Sequence, residues 1–201
     1  MTLLCDIGYK YGTDKCPQIK HFYTEVYFDL FKDKRDSVKK VVEVGIGFPE
    51  CMSQYYQKYV TGASLYMWRD FFPNAQIYGA DIEPKTMFED EQIKTFLCDQ
   101  RNKQDVEKLI QIVGTDIDLF IDDGAHYVTD QEFLCKTVLP LLKDDAIYVI
   151  EDVRSTSLLV QLLKDYDCTV PIPPGYIAWC AKHKSKRKRY RNSMIVVRKR
   201  K

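Results

Sequence analysis

Short apolar runs separated by amphipathic stretches recur along the chain, and each run stops at an acid. Lys39 to Gly47, KKVVEVGIG, gathers Val41, Val42 and Val44 ahead of Gly45 and Gly47. This predicts a short buried strand followed by a tight turn that a side chain would obstruct. Gln76 to Ala80 ends at Asp81, Lys94 to Leu97 at Asp99, Ile117 to Ile121 at Asp122 and Asp123, and Ala146 to Ile150 at Glu151 and Asp152. Helical periodicity falls between these runs. His21 to Lys32 sets Phe22, Val26 and Leu30 on one face, and Glu50 to Tyr59 can begin a helix that Thr61, Gly62 and Ala63 interrupt. Ser64 is a candidate N-cap for Leu65 to Phe71, Asn102 or Gln104 opens Asp105 to Val113, and Asp130 to Leu142 is amphipathic. Met1 to Lys20 reads as turn-rich.

Strands alternating with helices at this spacing predict βαβ units. The expected fold is α/β, a Rossmann-like, mainly parallel sheet of about seven strands with helices on both faces. The end of the chain departs from the alternation. Leu158 to Lys164 is helical, and Asp167 to Pro171 and Ser193 to Arg200 are strand-like, with a loop rich in proline and basic residues between them. A strand that follows a strand without a crossover helix predicts an antiparallel C-terminal strand. One domain is expected over residues 1–201: an N-terminal cap segment and helix (1–38), a core (39–153), and a C-terminal helix, basic loop and closing strands (154–201).

Composition narrows the classes. The chain has 201 residues, 45% hydrophobic and 29% charged, enough for one sizeable core. The net charge is +1, yet Lys182 to Arg191 and Arg198 to Lys201 concentrate positive charge, so the preceding body is acidic. Seven cysteines without a CxxC spacing predict free thiols in a reducing compartment. No run approaches the ~20 apolar residues of a membrane span, so a cytoplasmic protein without membrane association is expected.

The acids carry the chemistry. Glu43, Asp81, Asp99, Asp122 with Asp123, and Glu151 with Asp152 all lie at or just past the carboxyl ends of apolar strands. Aspartate also ends strands because it favours turns, but five strands aiming acids at one edge describe a site. An acid after the second strand suits ribose hydroxyls. The fingerprint GxGxxG is absent, because Phe48, Pro49 and Glu50 follow Gly47, so the pyrophosphate cradle is missing and a nucleoside without phosphates fits better than a dinucleotide.

VVEVGIG, YGADIEP at Tyr78 to Pro84, FLCDQ at Phe96 to Gln100 and FIDDGAH at Phe120 to His126 resemble successive motifs of class I S-adenosylmethionine-dependent methyltransferases. YGTDK at Tyr11 to Lys15, HFYTEVY, GASLYMWRDFFPNAQIYGADI at Gly62 to Ile82, IDDGAH and YVIEDV at Tyr148 to Val153 are similar to the metal-dependent sugar O-methyltransferases that modify macrolide antibiotics and rhamnose-like sugars. The resemblance implies transfer of a methyl group to a sugar hydroxyl, with a divalent cation, Mg²⁺, assisting. It implies that Glu43 and Gly45 line the methionine half of the cofactor, Asp81 binds the ribose, Asp99 and Gln100 face the adenine, and Asp122 lies beneath the sulfonium. Ser64 and Ile82 join this cofactor set. Asp123 and Asp152 match metal-ligand positions with Glu151 as a third, and His126 matches the general base. The implied partner is a sugar or nucleotide-sugar, and a homo-oligomer is compatible with it.

Other features weigh less. Tyr9, Tyr11, Tyr23 and Tyr27 either close over the cofactor or pack in the core, and helical spacing favours the core. Trp68 reads as packing and His21 as structural. The basic stretch Lys182 to Arg191 offers a phosphate-binding loop or a solvated surface. Two rival functions remain at this stage: an RNA methyltransferase that uses the basic stretch, and a catalytically silent cofactor-fold protein.

Overall fold

A computed structural model describes residues 1–183 and 193–200, so most of the basic stretch Lys182 to Arg191 lies outside the described residues. The first 20 residues hold a helix where turns were expected. In α1, Leu3–Tyr11, the Thr2 side chain accepts from the Cys5 N–H and Gly12 closes the end in the left-handed region at φ 79°. α2 spans Tyr23–Phe31 and β1 Lys40–Val44. α3 is a single turn, Pro49–Met52, shorter than the pattern of residues 50–59 suggested. α4, Ala63–Phe71, takes Gly62 as its N-cap, which leaves Ser64 buried in its first turn and corrects the capping assigned to Ser64.

β2 is Gln76–Asp81, β3 the two-residue Glu89–Asp90, and β4 Ile93–Leu97. α5, Lys103–Val113, is capped by Asn102, whose side chain accepts from the Gln104 N–H. β5 is Leu119–Asp122, α6 Val128–Val138, β6 Ile147–Ile150, α7 Thr156–Leu162 and β7 Asp167–Thr169. The proline-rich stretch expected to be loop contains α8, Pro174–Lys182, and β8 is Ile195–Arg198.

Among the described residues, eight strands run in the order β3-β4-β2-β1-β5-β6-β8-β7. β4, β2, β1, β5 and β6 are parallel, while β8 pairs antiparallel with both β6 and β7, as the closing strands predicted. From β1 the chain builds outward through β2 on one side and returns through β5 on the other. The carboxyl ends of β1 and β5 therefore flank the crevice where strand order reverses.

Alternation along β1 assigns its two faces. Val42 and Val44 join Phe120, Tyr148 and Ile150 under α5, α6 and α7, while Val41 joins Ile77, Leu119 and Ile121 under α2 and α4. Glu43 falls on the second face, so its carboxylate is buried beside Trp68 and Lys15. Burying each large apolar side chain contributes about 1.5–3 kcal/mol, which offsets part of the cost of burying such a carboxylate. Among the described residues no helix is long and apolar enough to cross a membrane.

Candidate active site

The sheet's hydrogen bonding continues one residue past its strands at the carboxyl edge. Asp123 N–H donates to the Val44 carbonyl at 2.8 Å, Glu151 N–H to Asp122 at 2.9 Å, Gly45 N–H to Ala80 at 2.8 Å and Cys98 N–H to Asp81 at 2.9 Å. The first loop residues are thus placed as firmly as the strands. Gly45, at φ 97°, passes so near the β5 loop that a Cβ would stand 2.1 Å from the Asp123 carbonyl oxygen. At Gly47, φ 73°, a Cβ would meet the Tyr59 hydroxyl at 2.7 Å. At both glycines a side chain would collide with a neighbouring chain segment, as a tight turn after the strand predicts.

A cavity of about 560 Å³ opens above this edge. Of the residues expected at the cofactor, Gly45, Ser64, Asp81, Ile82, Asp99 and Gln100 line it, as do Asp123, His126 and Asp152. Asp81 is pinned, accepting from the Ile46 N–H at 2.8 Å and the Glu83 N–H at 2.9 Å. Asp99 is paired with Arg101 at 2.9 Å. Gln100 accepts from the Ala125 N–H at 2.7 Å and donates to Asp122 at 3.3 Å.

Glu43, Asp122 and Glu151 stand differently. None lines the cavity; each is fully buried beneath it. Glu43 accepts from Trp68 Nε1 at 2.6 Å, so Trp68 is more than packing. Asp122 accepts from Gln100 and, at 3.4 Å, from the Gly124 N–H through Oδ1, and its Oδ2 has no hydrogen-bonding partner among the described residues. Burial pushes its pKa up to about 7. Both oxygens of Glu151 are taken, one by the Tyr27 hydroxyl and one by Lys15, each at 2.6 Å. Glu151, expected as a third metal ligand, is therefore not among the groups that converge on the cavity in this structure.

The convergent group is Asp123, His126 and Asp152, whose ligand atoms all lie within 4.8 Å of one another. The carboxylate oxygens of Asp123 and Asp152 suit a hard divalent cation, and the His126 imidazole stands beside them. His126 and Asp152 are also the non-glycine residues of positive φ, 57° and 48°, among the described residues. Backbone held in that region costs about 1–3 kcal/mol and collects at functional sites. His126 Nε2 lies 3.1 Å from Asp123 Oδ1. Burial opposes the charged imidazolium, but the hydrogen bond and charge of Asp123 outweigh it and hold the His126 pKa up at about 9. Asp152 accepts from the Tyr23 hydroxyl at 2.6 Å.

Lys15 closes the YGTDK motif of the family resemblance, from which no role is assigned to it. It is buried, with Nζ at 2.6 Å from Asp123 and Glu151 and 3.2 Å from Glu43, the last an ion-pair contact without hydrogen-bond alignment. A lysine three residues past Gly12, in a segment with little periodicity, carries no sequence signal for burial. The tyrosines divide: Tyr23 and Tyr27 are core residues whose hydroxyls orient strand-end acids, whereas Tyr11 bonds Asp70 and Tyr9 is exposed.

No protein-family model matches the chain. In fold it is similar to the MycE methyltransferase from the mycinamycin biosynthetic pathway, solved in complex with Mg, SAH and mycinamycin VI. The TM-score is 0.71 at 23% identity, over 98% of this chain and 54% of that one. The chain has the class I methyltransferase fold. Within that fold, its sequence is related to sugar O-methyltransferases. It is 31% identical over 153 residues to the 8-demethyl-8-alpha-L-rhamnosyl tetracenomycin-C 2'-O-methyltransferase of Streptomyces olivaceus, covering 76% of this chain and 38% of the relative. It is 32% identical over 149 residues to the mycinamicin VI 2''-O-methyltransferase of Micromonospora griseorubida, covering 74% and 35%. The chain thus spans little more than a third of the length of these curated relatives. The match supports reading the strand-end acids of this methyltransferase fold as one site.

Proposed function

We propose that this protein is an S-adenosylmethionine-dependent, divalent-metal-assisted O-methyltransferase that acts on a sugar hydroxyl of a glycoside or nucleotide-sugar. The observation that carries the reading is the convergence of Asp123, His126 and Asp152 on a cavity that Gly45, Asp81, Asp99 and Gln100 also line. Relatives of this chain are named for methylating sugar positions, which supports the same reading.

The residues take separate roles. Asp81, held by two backbone N–H groups, keeps lone pairs for the ribose hydroxyls, and Asp99, Gln100 and Ile82 border the adenine end, with Gly45 and Ser64 toward the methionine end. Glu43 and Asp122 act from below the cavity floor by fixing Trp68, Lys15 and Gln100. When bound, the cofactor supplies an activated methyl group and the cation, held by Asp123 and Asp152, orients the acceptor hydroxyl and lowers its pKa. His126 accepts the hydroxyl proton, which requires a neutral imidazole, and Asp123 fixes the ring orientation.

Incubation with methyl-labelled S-adenosylmethionine and a panel of rhamnosyl glycosides and nucleotide-sugars tests this, with and without chelator. Label transfer that chelation stops is the expected result. Transfer undiminished in chelator overturns the metal role, and transfer to RNA instead of sugars overturns the acceptor class.

A further inference from the structure

Lys15 stands out among the groups that the proposed chemistry leaves unused. Its ammonium meets Glu43 from β1, Asp123 just past β5 and Glu151 just past β6, three adjacent strands of the sheet. The remaining oxygens of these acids face elsewhere: Glu43 to Trp68, Glu151 to Tyr27, and Asp123 outward to His126. Three carboxylates this close, Glu43 and Glu151 fully buried and Asp123 at the cavity wall, repel one another strongly in a low-dielectric setting and need a proton or a cation among them to form a stable group. Lys15 brings that cation in from outside the sheet. Its carbonyl accepts from the Thr24 N–H at 3.1 Å and the Asp14 carbonyl from the His21 N–H at 2.8 Å, which ties the segment to the start of α2. Thr13, Asp14 and Lys15 then form one wall of the cavity.

We propose that Lys15 is a positioning residue, a covalently supplied cation that assembles the inner half of the acidic edge and so orients Asp123 without any divalent ion. The inner half, Glu43–Asp123–Glu151, is filled by the ammonium, and the outer half, Asp123–His126–Asp152, is left to an exchangeable ion. Removing the ammonium turns the inner half into a latent divalent-cation site. The outer half rests on the function proposed above; the inner half does not.

Lys15→Met keeps the aliphatic stem and deletes the charge. In chelator its thermal midpoint should fall by about 10 °C or more, the scale for breaking a buried ion cluster in a domain of this size. Adding Glu151→Gln, which takes one titratable acid out of the group, should recover at least half of that loss. Mn²⁺ should stabilise Lys15→Met more than it stabilises the wild type. Mn²⁺ binding, followed by the resonance of the free ion, should be lost in Asp152→Asn but retained in Lys15→Met/Asp152→Asn.

A Lys15→Met protein as stable as wild type in chelator overturns the inference, as does a loss that neither Glu151→Gln nor Mn²⁺ relieves, since that pattern marks lost packing alone. If Lys15→Met does not fold, folding of Lys15→Met/Glu151→Gln supports the inference and its failure to fold overturns it. Wild type that binds no Mn²⁺ removes the outer site and the metal role, while rescue by Glu151→Gln still stands as evidence for Lys15.

Discussion

The Asp123 carboxylate is shared between two cations: Oδ2 lies 2.6 Å from Lys15 Nζ and Oδ1 lies 3.1 Å from His126 Nε2. Burial alone would raise the Asp123 pKa, yet Lys15 and His126 together hold it below the usual carboxylate range. The same contact keeps the imidazole protonated to about pH 9. In metal-free protein, the His126 ring signals in a proton NMR titration should therefore move with a midpoint near 9, and Asp123→Asn should bring that midpoint down toward the ordinary ~6.5. A wild-type midpoint near 6.5 would contradict the pairing.

Asp122 makes a statement about stability. Its folded pKa of about 7 stands above the ordinary 3.8, so the folded state holds a proton that the unfolded chain has released between those values. The stability this group contributes is fully present below about pH 4 and is lost as pH rises through about 7. Asp122→Asn should match wild type near pH 4 and exceed it by about 2 kcal/mol or more at pH 8, because the neutral amide removes a buried charge. Urea denaturation in chelator at both pH values measures it, and parallel curves for the two proteins would refute it.

Trp68→Phe preserves the aromatic contact with Tyr27, 4.8 Å between ring centroids, but removes the donor to Glu43. Leaving that buried carboxylate short of a hydrogen bond should cost about 1–3 kcal/mol. Chemical denaturation decides it, and a change within error would return Trp68 to plain packing.

Gly45→Ala should be among the most damaging single methyl additions to the chain. The added carbon meets the Asp123 backbone and the residue stands in the left-handed region, so a loss of about 2–4 kcal/mol is expected. Cofactor affinity should fall with it, because the β5 loop moves. A stable variant with unchanged affinity for S-adenosylhomocysteine by calorimetry would show that the loop tolerates displacement.

Asp81→Ala should weaken S-adenosylhomocysteine binding by about 1.5–3 kcal/mol, the loss of hydrogen bonds to a charged acceptor. The Ile46 and Glu83 N–H groups that it holds would also be released, so calorimetry is to be read beside a thermal melt. Unchanged affinity would place Asp81 outside the cofactor site.

The sequence by itself determined the sheet and the edge. Runs such as Val41 to Val44 and Ile147 to Ile150 are buried on both faces, and such runs read as strands wherever they occur. The acids that end them were legible because a parallel sheet sends every such residue to the same edge. The antiparallel closing pair is as expected, but not for the reason read from the sequence, because α8 lies between its two strands. Less could be read where a segment's conformation depends on what it packs against. α1 carries its apolar residues against α2 and α4, and α8 receives the Glu25 carboxylate at the Gly175 N–H, contacts between segments far apart in the chain. Only the tertiary structure decided how the acids divide. Glu151 and Asp152 are neighbours in sequence, but the left-handed backbone at Asp152 turns it to the cavity while Glu151 faces inward to Tyr27 and Lys15. The cation that makes the inner group stable lies 108 residues from Asp123 and 136 from Glu151. Local sequence preference sets the conformation of a turn, but the charge balance of a buried cluster is set by every chain segment that reaches it.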